Sequence, residues 1–212
     1  MSGCLISLEG GEGAGKSTVL GAIRACIEAH GIRLLVTREP GGTALGEAVR
    51  ELVLSPALTG VCAESELLLM FAARAQLVRE VIAPALARGE WVLADRFTDA
   101  SYAYQGAGRG QPEARIADLE QWAAQGLQPD LTLLLDLPVS QGLARAGKRS
   151  RPDRIEQEES AFFERIRSGY RRRAQAEPAR FRVIDASQDI DRVRADTCAA
   201  IEAFIASQRG AT

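Results

Sequence analysis

Residues 10–17 read Gly-Gly-Glu-Gly-Ala-Gly-Lys-Ser and match Gly-x-x-x-x-Gly-Lys-[Ser/Thr], the pattern of a phosphate-binding P-loop. An apolar run from Cys4 to Leu8 precedes the loop and a helix-like segment from Ser17 to Ala29 follows it, which is the context that the motif requires. The glycines let backbone amides face phosphate oxygens. The alternative is a glycine-rich turn that binds nothing. We expect a nucleoside triphosphate to bind to Gly10, Gly11, Glu12, Gly13, Ala14, Gly15, Lys16, Ser17 and Thr18.

Four side chains near this loop are candidates for phosphate and metal chemistry. Lys16 can reach the β- and γ-phosphates, and the Ser17 hydroxyl can hold Mg²⁺. Asp95 ends the third apolar run, where a carboxylate can join the Mg²⁺ shell, and the adjacent Arg96 suits bidentate contact with a phosphate. A purely structural Asp–Arg pair is the alternative interpretation.

Short apolar runs alternate with longer helix-like segments along the chain, which predicts an α/β fold. We expect five buried parallel strands at Cys4–Leu8, Arg33–Thr37, Trp91–Ala94, Leu131–Leu135 and Phe181–Ile184. Helices are expected near 16–29, 43–54, 63–88, 112–125, 138–148, 155–176 and 189–208. The predicted architecture is a P-loop NTPase fold, a five-stranded parallel sheet with helices on both faces. We expect one domain over 1–212, with a small lid at about 138–155.

The composition excludes several classes of function. A net charge of −2 over 212 residues argues against a broad nucleic-acid surface. The four cysteines form no Cys-x-x-Cys pair, and His30 is the only histidine, so zinc sites and histidine catalysis are disfavoured. We see no signal peptide and no apolar run long enough to span a membrane, so we expect a cytoplasmic protein without a membrane partner.

Two further segments limit the kinds of P-loop protein that this chain can be. Arg38-Glu-Pro-Gly-Gly-Thr43 follows the second strand as a tight loop, with Thr43 as a candidate helix cap. The segment 145–154 holds five basic residues, which form either a solvated surface or a mobile lid over the triphosphate. The Asn-Lys-x-Asp motif of guanine-specific GTPases is absent.

Taken together, the motifs resemble those of the thymidylate kinase family over nearly the whole chain. Beside the P-loop they are Thr37-Arg-Glu-Pro-Gly-Gly-Thr43, Met70-Phe-Ala-Ala-Arg74, Asp95-Arg96, Tyr104-Gln105-Gly106, Pro129-Asp-Leu-Thr132 and Asp153-Arg-Ile-Glu-Gln-Glu158. The resemblance implies transfer of the γ-phosphoryl group of ATP to dTMP, with Mg²⁺, giving dTDP and ADP. It also implies a homodimer that packs long helices, for which the apolar stretch 63–86 is a candidate interface; burial in the core of a single chain is the alternative explanation of that stretch.

The resemblance assigns roles at the acceptor site. Glu12 would accept a hydrogen bond from the sugar 3′-hydroxyl of dTMP, and Tyr104 would exclude a ribose 2′-hydroxyl. The other dTMP-binding residues would be Glu39, Arg50 and Arg96 around the phosphate, and Arg74, Ser101 and Gln105 around the base. Many members carry a stacking Phe four residues before the base-reading Arg, where this chain has Met70. We expect Phe71 to stack instead, although Met70 is the alternative.

The resemblance also identifies a subtype with lid arginines. Some members carry a catalytic Arg within the P-loop, where this chain has Ala14 and glycines. Such loops are partnered by arginines of the lid, and here Arg149 aligns best and Arg145 next best. Together with Lys16 and Arg96, these two complete the expected catalytic set. Two alternatives stay open: a kinase for another nucleoside monophosphate, and a nucleotide-dependent switch or binding protein.

Overall fold

The structure is a computed structural model that describes residues 3–147 and 152–210. Its five strands form one all-parallel sheet in the order β2-β3-β1-β4-β5, with helices around it. The predicted five-stranded parallel sheet and P-loop fold class are confirmed. The strands are β1 (Leu5–Gly10), β2 (Leu34–Arg38), β3 (Trp91–Asp95), β4 (Leu131–Asp136) and β5 (Phe181–Asp185).

The helices follow the predicted order along the chain. Two of them continue through π-helical turns, at Val78–Ile82 and Tyr102–Gly108. The first of these wider turns lies just before Pro84, which has no N–H to donate. The α-helices are α1 (Lys16–Glu28), α2 (Ala44–Leu54), α3 (Ala63–Leu77), α4 (Ala83–Ala87), α5 (Thr98–Ser101), α6 (Glu113–Ala123), α7 (Val139–Ala146), α8 (Ser160–Ala176) and α9 (Ile190–Gly210).

Strand β1 lies at the centre of the sheet and is buried along its whole length. Ile6 pairs in register with Leu93 of β3 and with Leu131 of β4. Burial on both faces explains why Leu5, Ile6 and Leu8 are all apolar although successive side chains point to opposite faces of the sheet. This central strand delivers the P-loop to the carboxyl edge of the sheet, where ligands bind in open α/β folds.

Helices cover both faces of the sheet. On one face, α1 buries Val19, Ile23 and Ile27, spaced four residues apart, in a cluster that also includes residues of α9. On the other face, α8 buries Ile166 and Tyr170 against the segment 98–108. Full burial of each large apolar side chain contributes roughly 1.5–3 kcal/mol, which anchors both the P-loop helix and the helices beside it.

Two segments differ from the sequence prediction. The chain from Thr98 to Gly108 is helical, whereas no helix was predicted there. Most of this segment is buried on every side, so its sequence lacks the alternation of apolar and polar residues by which an amphipathic helix is predicted. Helix α8 begins at Ser160, not at residue 155 as predicted. The preceding residues form a turn because Asp153 Oδ1 accepts hydrogen bonds from the backbone N–H groups of Ile155 and Glu156, both at 2.8 Å.

Across 3–147 and 152–210, no helix combines the length and apolar character needed to cross a membrane.

Candidate active site

The P-loop wraps around the start of α1 with three glycines at positive φ. Gly10, Gly13 and Gly15 have φ of 147°, 69° and 92°. At Gly13 even a methyl group would not fit, because its Cβ would lie 2.0 Å from the carbonyl oxygen of Gly142 in α7. The loop is therefore packed directly against α7, which begins the predicted lid region. Glycine is required at position 13 both for the positive φ and for this close approach of α7.

Lys16 is folded back onto the P-loop in this structure. Its Nζ donates hydrogen bonds to the carbonyl oxygens of Gly10 at 3.0 Å and Gly11 at 3.4 Å. Burial, followed by the positive charge of Arg96, lowers the pKa of Lys16 to about 8. Lys16 is thus held by carbonyl groups that a phosphate oxygen can replace.

Glu12 joins the P-loop to two residues that follow β3. Its Oε1 accepts hydrogen bonds from Arg96 Nη2 at 2.8 Å and from the Tyr104 hydroxyl at 2.7 Å. The Arg96 guanidinium carbon also lies 4.5 Å from the centre of the Tyr104 ring. Burial acts to raise the pKa of Glu12, but the charges of Arg96 and Lys16 outweigh it and lower that pKa to about 2. Glu12 is therefore ionised at neutral pH.

The backbone at Arg96 is in a conformation that L-residues rarely adopt, with φ of 70°. Two hydrogen bonds hold it: Arg96 N–H donates to Leu8 O at 3.0 Å, and Phe97 N–H donates to Glu9 Oε1 at 2.7 Å. The Tyr170 hydroxyl donates to Glu9 Oε2 at 2.8 Å. Burial, followed by the nearby charge of Asp99, raises the pKa of Glu9 to about 8. Sequence reasoning missed Glu9, because an acid at the end of an apolar run carries no signal of its partners.

Two cavities meet at this point. One, of about 420 Å³, follows the P-loop and includes Lys16, Ser17 and Asp95. The other, of about 120 Å³, lies beside it and includes Met70, Tyr104 and Gln105; we call it the acceptor cavity. Both cavities are lined by Glu12, Glu39, Arg50, Arg96 and Asp153. Two ligands bound at these cavities would thus contact the same charged residues.

The loop after β2 places Arg50 and Glu39 at the acceptor cavity. Thr43 caps α2, since its Oγ1 accepts from the N–H of Gly46 at 3.0 Å, as the sequence predicted for a helix cap. Further along α2, Arg50 donates from Nη1 to the carbonyl of Pro40 at 3.1 Å. The Glu39–Pro40 peptide is cis. Arg50 therefore faces the cavity with donors to spare for an anion.

Arg74 does not line the acceptor cavity. Its side chain is fully buried, and its Nε and Nη2 both donate to Glu39 Oε2, at 2.8 and 2.6 Å. Its Nη1 donates to Ser101 Oγ at 3.0 Å and its Nη2 to the Phe97 carbonyl at 3.1 Å. Every nitrogen of this guanidinium donates a hydrogen bond. Arg74 therefore supports Glu39, which lines the acceptor cavity, without lining the cavity itself. Ser101, which is also fully buried, lies there with it instead of at the cavity.

The structure also does not bring Phe71 to the cavity, contrary to the expectation that it stacks on the base. Phe71 is 3% exposed and packs with Leu67 and Tyr102, beneath the Arg74 guanidinium at 4.5 Å. Met70 takes the cavity position instead. The two side chains point about 100° apart around α3, and the face that turns toward the cavity is the one that carries Met70.

Ser17 and Asp95 lie where a Mg²⁺ ion associated with a triphosphate would need ligands. Both line the P-loop cavity, and Asp95 Oδ1 is buried without a hydrogen-bond partner among the described residues. A carboxylate and a hydroxyl are oxygen donors of the kind that Mg²⁺ prefers, and Mg²⁺ takes its other ligands from water and phosphate. The residues present therefore fit a magnesium ion.

The structure describes only one of the two predicted lid arginines. Arg145 in α7 donates from Nη1 to the carbonyl of Ala186 at 3.0 Å. It lines a third cavity together with Gly13 and Thr18 of the P-loop region. The structure thus brings Arg145 to the P-loop but not to the acceptor cavity. Arg149 lies outside the described residues.

Several residues at the site were not among the predicted site residues. They include Arg38, Pro40, Asp153 and Glu156, which line one or both of the two joined cavities. Their signal was present in part, because the motif Arg38–Thr43 was singled out with roles for Glu39 and Thr43 alone and the motif Asp153–Glu158 without any role. Only the fold shows that Asp153–Glu158 faces the P-loop.

Comparison with known proteins agrees with this geometry. A family model described as thymidylate kinase matches residues 8–197. Curated relatives named thymidylate kinase include one from Pseudomonas syringae pv. tomato, 56% identical over 99% of this chain and 100% of that protein. Others come from Methylococcus capsulatus, 55% identical over 96% and 97%, and Alcanivorax borkumensis, 54% identical over 95% and 97%. The chain therefore belongs to the thymidylate kinase family.

Proposed function

We propose that this chain transfers the γ-phosphoryl group of ATP to dTMP and releases dTDP and ADP. The observation that carries the proposal is the junction of the P-loop cavity and the acceptor cavity at Glu12 and Arg96. A donor phosphate on the P-loop and an acceptor phosphate beside Arg96 would be neighbours there. As a member of the thymidylate kinase family, the chain is an ATP-dependent phosphotransferase acting on dTMP.

On the donor side, Lys16 would exchange its two carbonyl partners for phosphate oxygens. Phosphoryl transfer by kinases generally needs a divalent metal. Ser17 and Asp95 would hold Mg²⁺, which supplies positive charge against the phosphates when bound. Arg149 and, as the second candidate, Arg145 would add lid charge over the transferring group.

On the acceptor side, Arg96 and Arg50 would bind the dTMP phosphate. The Arg96 guanidinium is preset by its contacts with Glu12 and the Tyr104 ring, so little ordering is needed on binding. Glu12 would accept from the sugar 3′-hydroxyl, and the Tyr104 ring would fill the space of a 2′-hydroxyl. Met70, rather than Phe71, would pack on the base, since a thioether is polarizable.

The reaction would need no general base. An acceptor phosphate oxygen is already nucleophilic at neutral pH, and the transition state spreads negative charge over the transferring group. Arginines and Lys16 would stabilise that charge, so positioning and electrostatics would supply most of the rate acceleration.

A homodimer and a cytoplasmic location belong to the same proposal, as does a single domain with a lid at about 138–155. Apolar side chains are exposed on adjoining helices: Leu45 (48%), Leu52 (49%), Leu68 (57%) and Trp122 (77%). A subunit interface across α2, α3 and α6 would bury them. Sedimentation equilibrium should give twice the chain mass of 22.8 kDa; a monomer at micromolar concentration would refute the dimer.

The activity is tested by ADP release from ATP and Mg²⁺ with dTMP, dUMP, dCMP, dGMP, dAMP or no acceptor. The proposal predicts release that depends on dTMP. Dependence on another monophosphate would keep the fold and mechanism but overturn the base assignment. Slow release without acceptor dependence would favour the nucleotide-dependent switch.

A further inference from the structure

A partly buried cluster of two acids and two arginines lies behind the acceptor cavity, and the mechanism above does not use it. Glu66 on α3 is at its centre, with a side chain that is 1% exposed. Its Oε1 accepts from Gln105 Nε2 at 2.9 Å and Arg109 Nε at 3.3 Å, and its Oε2 accepts from Arg154 Nη2 at 2.7 Å. Arg109 also pairs with Glu158 at 2.5 Å. The four charges balance, which offsets the cost of burying the central carboxylate.

Glu66 determines the orientation of the Gln105 amide. Burial acts to raise the pKa of Glu66, but hydrogen bonds from Gln105 and Arg154 outweigh it, so that pKa lies below its ordinary value. An ionised carboxylate can only accept, so Gln105 must turn its NH₂ group toward Glu66. The other end of the amide, Gln105 Oε1, is buried with no hydrogen-bond partner in the part of the chain that the structure describes. Gln105 is one of the residues that line the acceptor cavity, so this unsatisfied acceptor belongs to a residue of the cavity wall.

Glu66 also holds a second part of that wall through Arg154. Beyond its contact with Glu66, Arg154 donates from Nε to the carbonyl of Val53 at 2.8 Å and from its backbone N–H to the carbonyl of Leu54 at 3.0 Å. These contacts tie the turn before α8 to the end of α2. The cavity wall on this side consists of Val53, Leu54, Asp153 and Ile155.

We propose that Glu66 is a positioning residue that selects the acceptor base through Gln105 and fixes the cavity wall through Arg154. This inference rests on the proposed function. A base with an N–H at position 3, such as thymine or uracil, satisfies the Gln105 oxygen. Cytosine carries a lone pair at that position and repels it, so a fixed amide discriminates between the two.

The test is Glu66→Gln, which keeps the size of the side chain and removes its charge. An amide at position 66 can accept or donate, so Gln105 is free to turn either end toward the cavity. We expect the KM for dTMP to rise about tenfold, with kcat within about threefold and the KM for ATP unchanged. The ratio of kcat/KM for dTMP to that for dCMP should fall about tenfold, since the preference for an N–H is lost.

Two further variants keep the test decisive. Glu120→Gln is the matched control, because Glu120 is a buried carboxylate that accepts a hydrogen bond from Tyr102 at 2.7 Å, outside the cluster. It should match the wild type in both KM and base preference. If Glu66→Gln does not fold, Glu66→Asp keeps the charge balance with a shorter reach, and it should show the same loss of base preference.

The outcomes separate this inference from the function on which it rests. A wild-type enzyme without preference for dTMP overturns the proposed function itself. A wild-type enzyme that prefers dTMP, with a Glu66 variant that discriminates equally well, overturns only the role of Glu66. An equal fall of kcat with every acceptor, at unchanged discrimination, overturns it too.

Discussion

Replacing Arg74 by methionine should destabilise the protein strongly, because it leaves Glu39 buried without its partner. The two side chains are 0% and 3% exposed and lie 2.6 Å apart. Methionine retains most of the apolar volume of arginine, so the change isolates the loss of charge and hydrogen bonds. Breaking one partner out of a buried ion pair costs about 3–5 kcal/mol.

The same loss of stability can be measured as a fall in melting temperature and compared with that of an exposed ion pair. For a chain of this length, each kcal/mol shifts the Tm by roughly 2–4 °C, so Arg74→Met should lower it by roughly 6–20 °C. Arg24 pairs with Glu28 at 2.9 Å, but these side chains are 58% and 43% exposed. Arg24→Met should therefore cost no more than about 1 kcal/mol, and urea titrations of both variants would measure the difference.

A double variant then tests the stated cause. Glu39→Gln combined with Arg74→Met leaves no buried charge, so its destabilisation should fall short of the sum of the single changes by at least about 1 kcal/mol. Burial raises the pKa of Glu39 against the opposing effect of Arg74, so Glu39 would take up a proton once Arg74 is gone. The account of Arg74 as a support for Glu39 is refuted if Arg74→Met costs as little as Arg24→Met.

Three further predictions concern sugar choice, pH and the lid. Tyr104→Ala should raise kcat/KM for UMP relative to dUMP about tenfold, while Tyr104→Phe, which keeps the ring, should not; equal ratios in all three proteins would contradict steric exclusion. The pKa of Glu9 is raised from 4.5 to about 8, so its contribution to stability is complete below pH 4.5 and is lost as pH rises through 8. Urea titrations across this range should show wild type losing stability relative to Glu9→Gln, by at most about 1.4 kcal/mol per pH unit, and parallel curves would disprove the assignment. Arg149→Ala should lower kcat at least about 100-fold in steady-state assays while changing the KM for dTMP less than about threefold; an unchanged kcat would remove Arg149 from the mechanism.

The fold and the P-loop side of the site could be predicted because their signals are local. Apolar runs of strand length, separated by helix-like segments, indicate a parallel sheet. The carboxyl ends of such strands share one edge, so Ser17 and Asp95 were expected to meet there although 78 positions separate them.

The acceptor side could be predicted only in part, because its contacts join distant segments. The sequence placed Met70 and Phe71 on one helix but contained no signal for which of them faces the cavity. Glu66 lies near the start of an apolar helix, where an acid ordinarily faces solvent, yet its partners come from residues 105, 109 and 154. Arg74 was assigned to the base by the resemblance, and the sequence contained no signal of its pairing with Glu39, which lies 35 positions away.

Phosphoryl transfer from ATP to dTMP can be followed through the phosphate itself. ATP labelled in its γ-phosphoryl group is incubated with Mg²⁺, dTMP and the purified protein, and the labelled products are separated. If the protein transfers the γ-phosphoryl group to dTMP, the label appears in dTDP, in equal amount to the ADP formed. Label that appears as inorganic phosphate, with dTMP unchanged, would contradict this transfer.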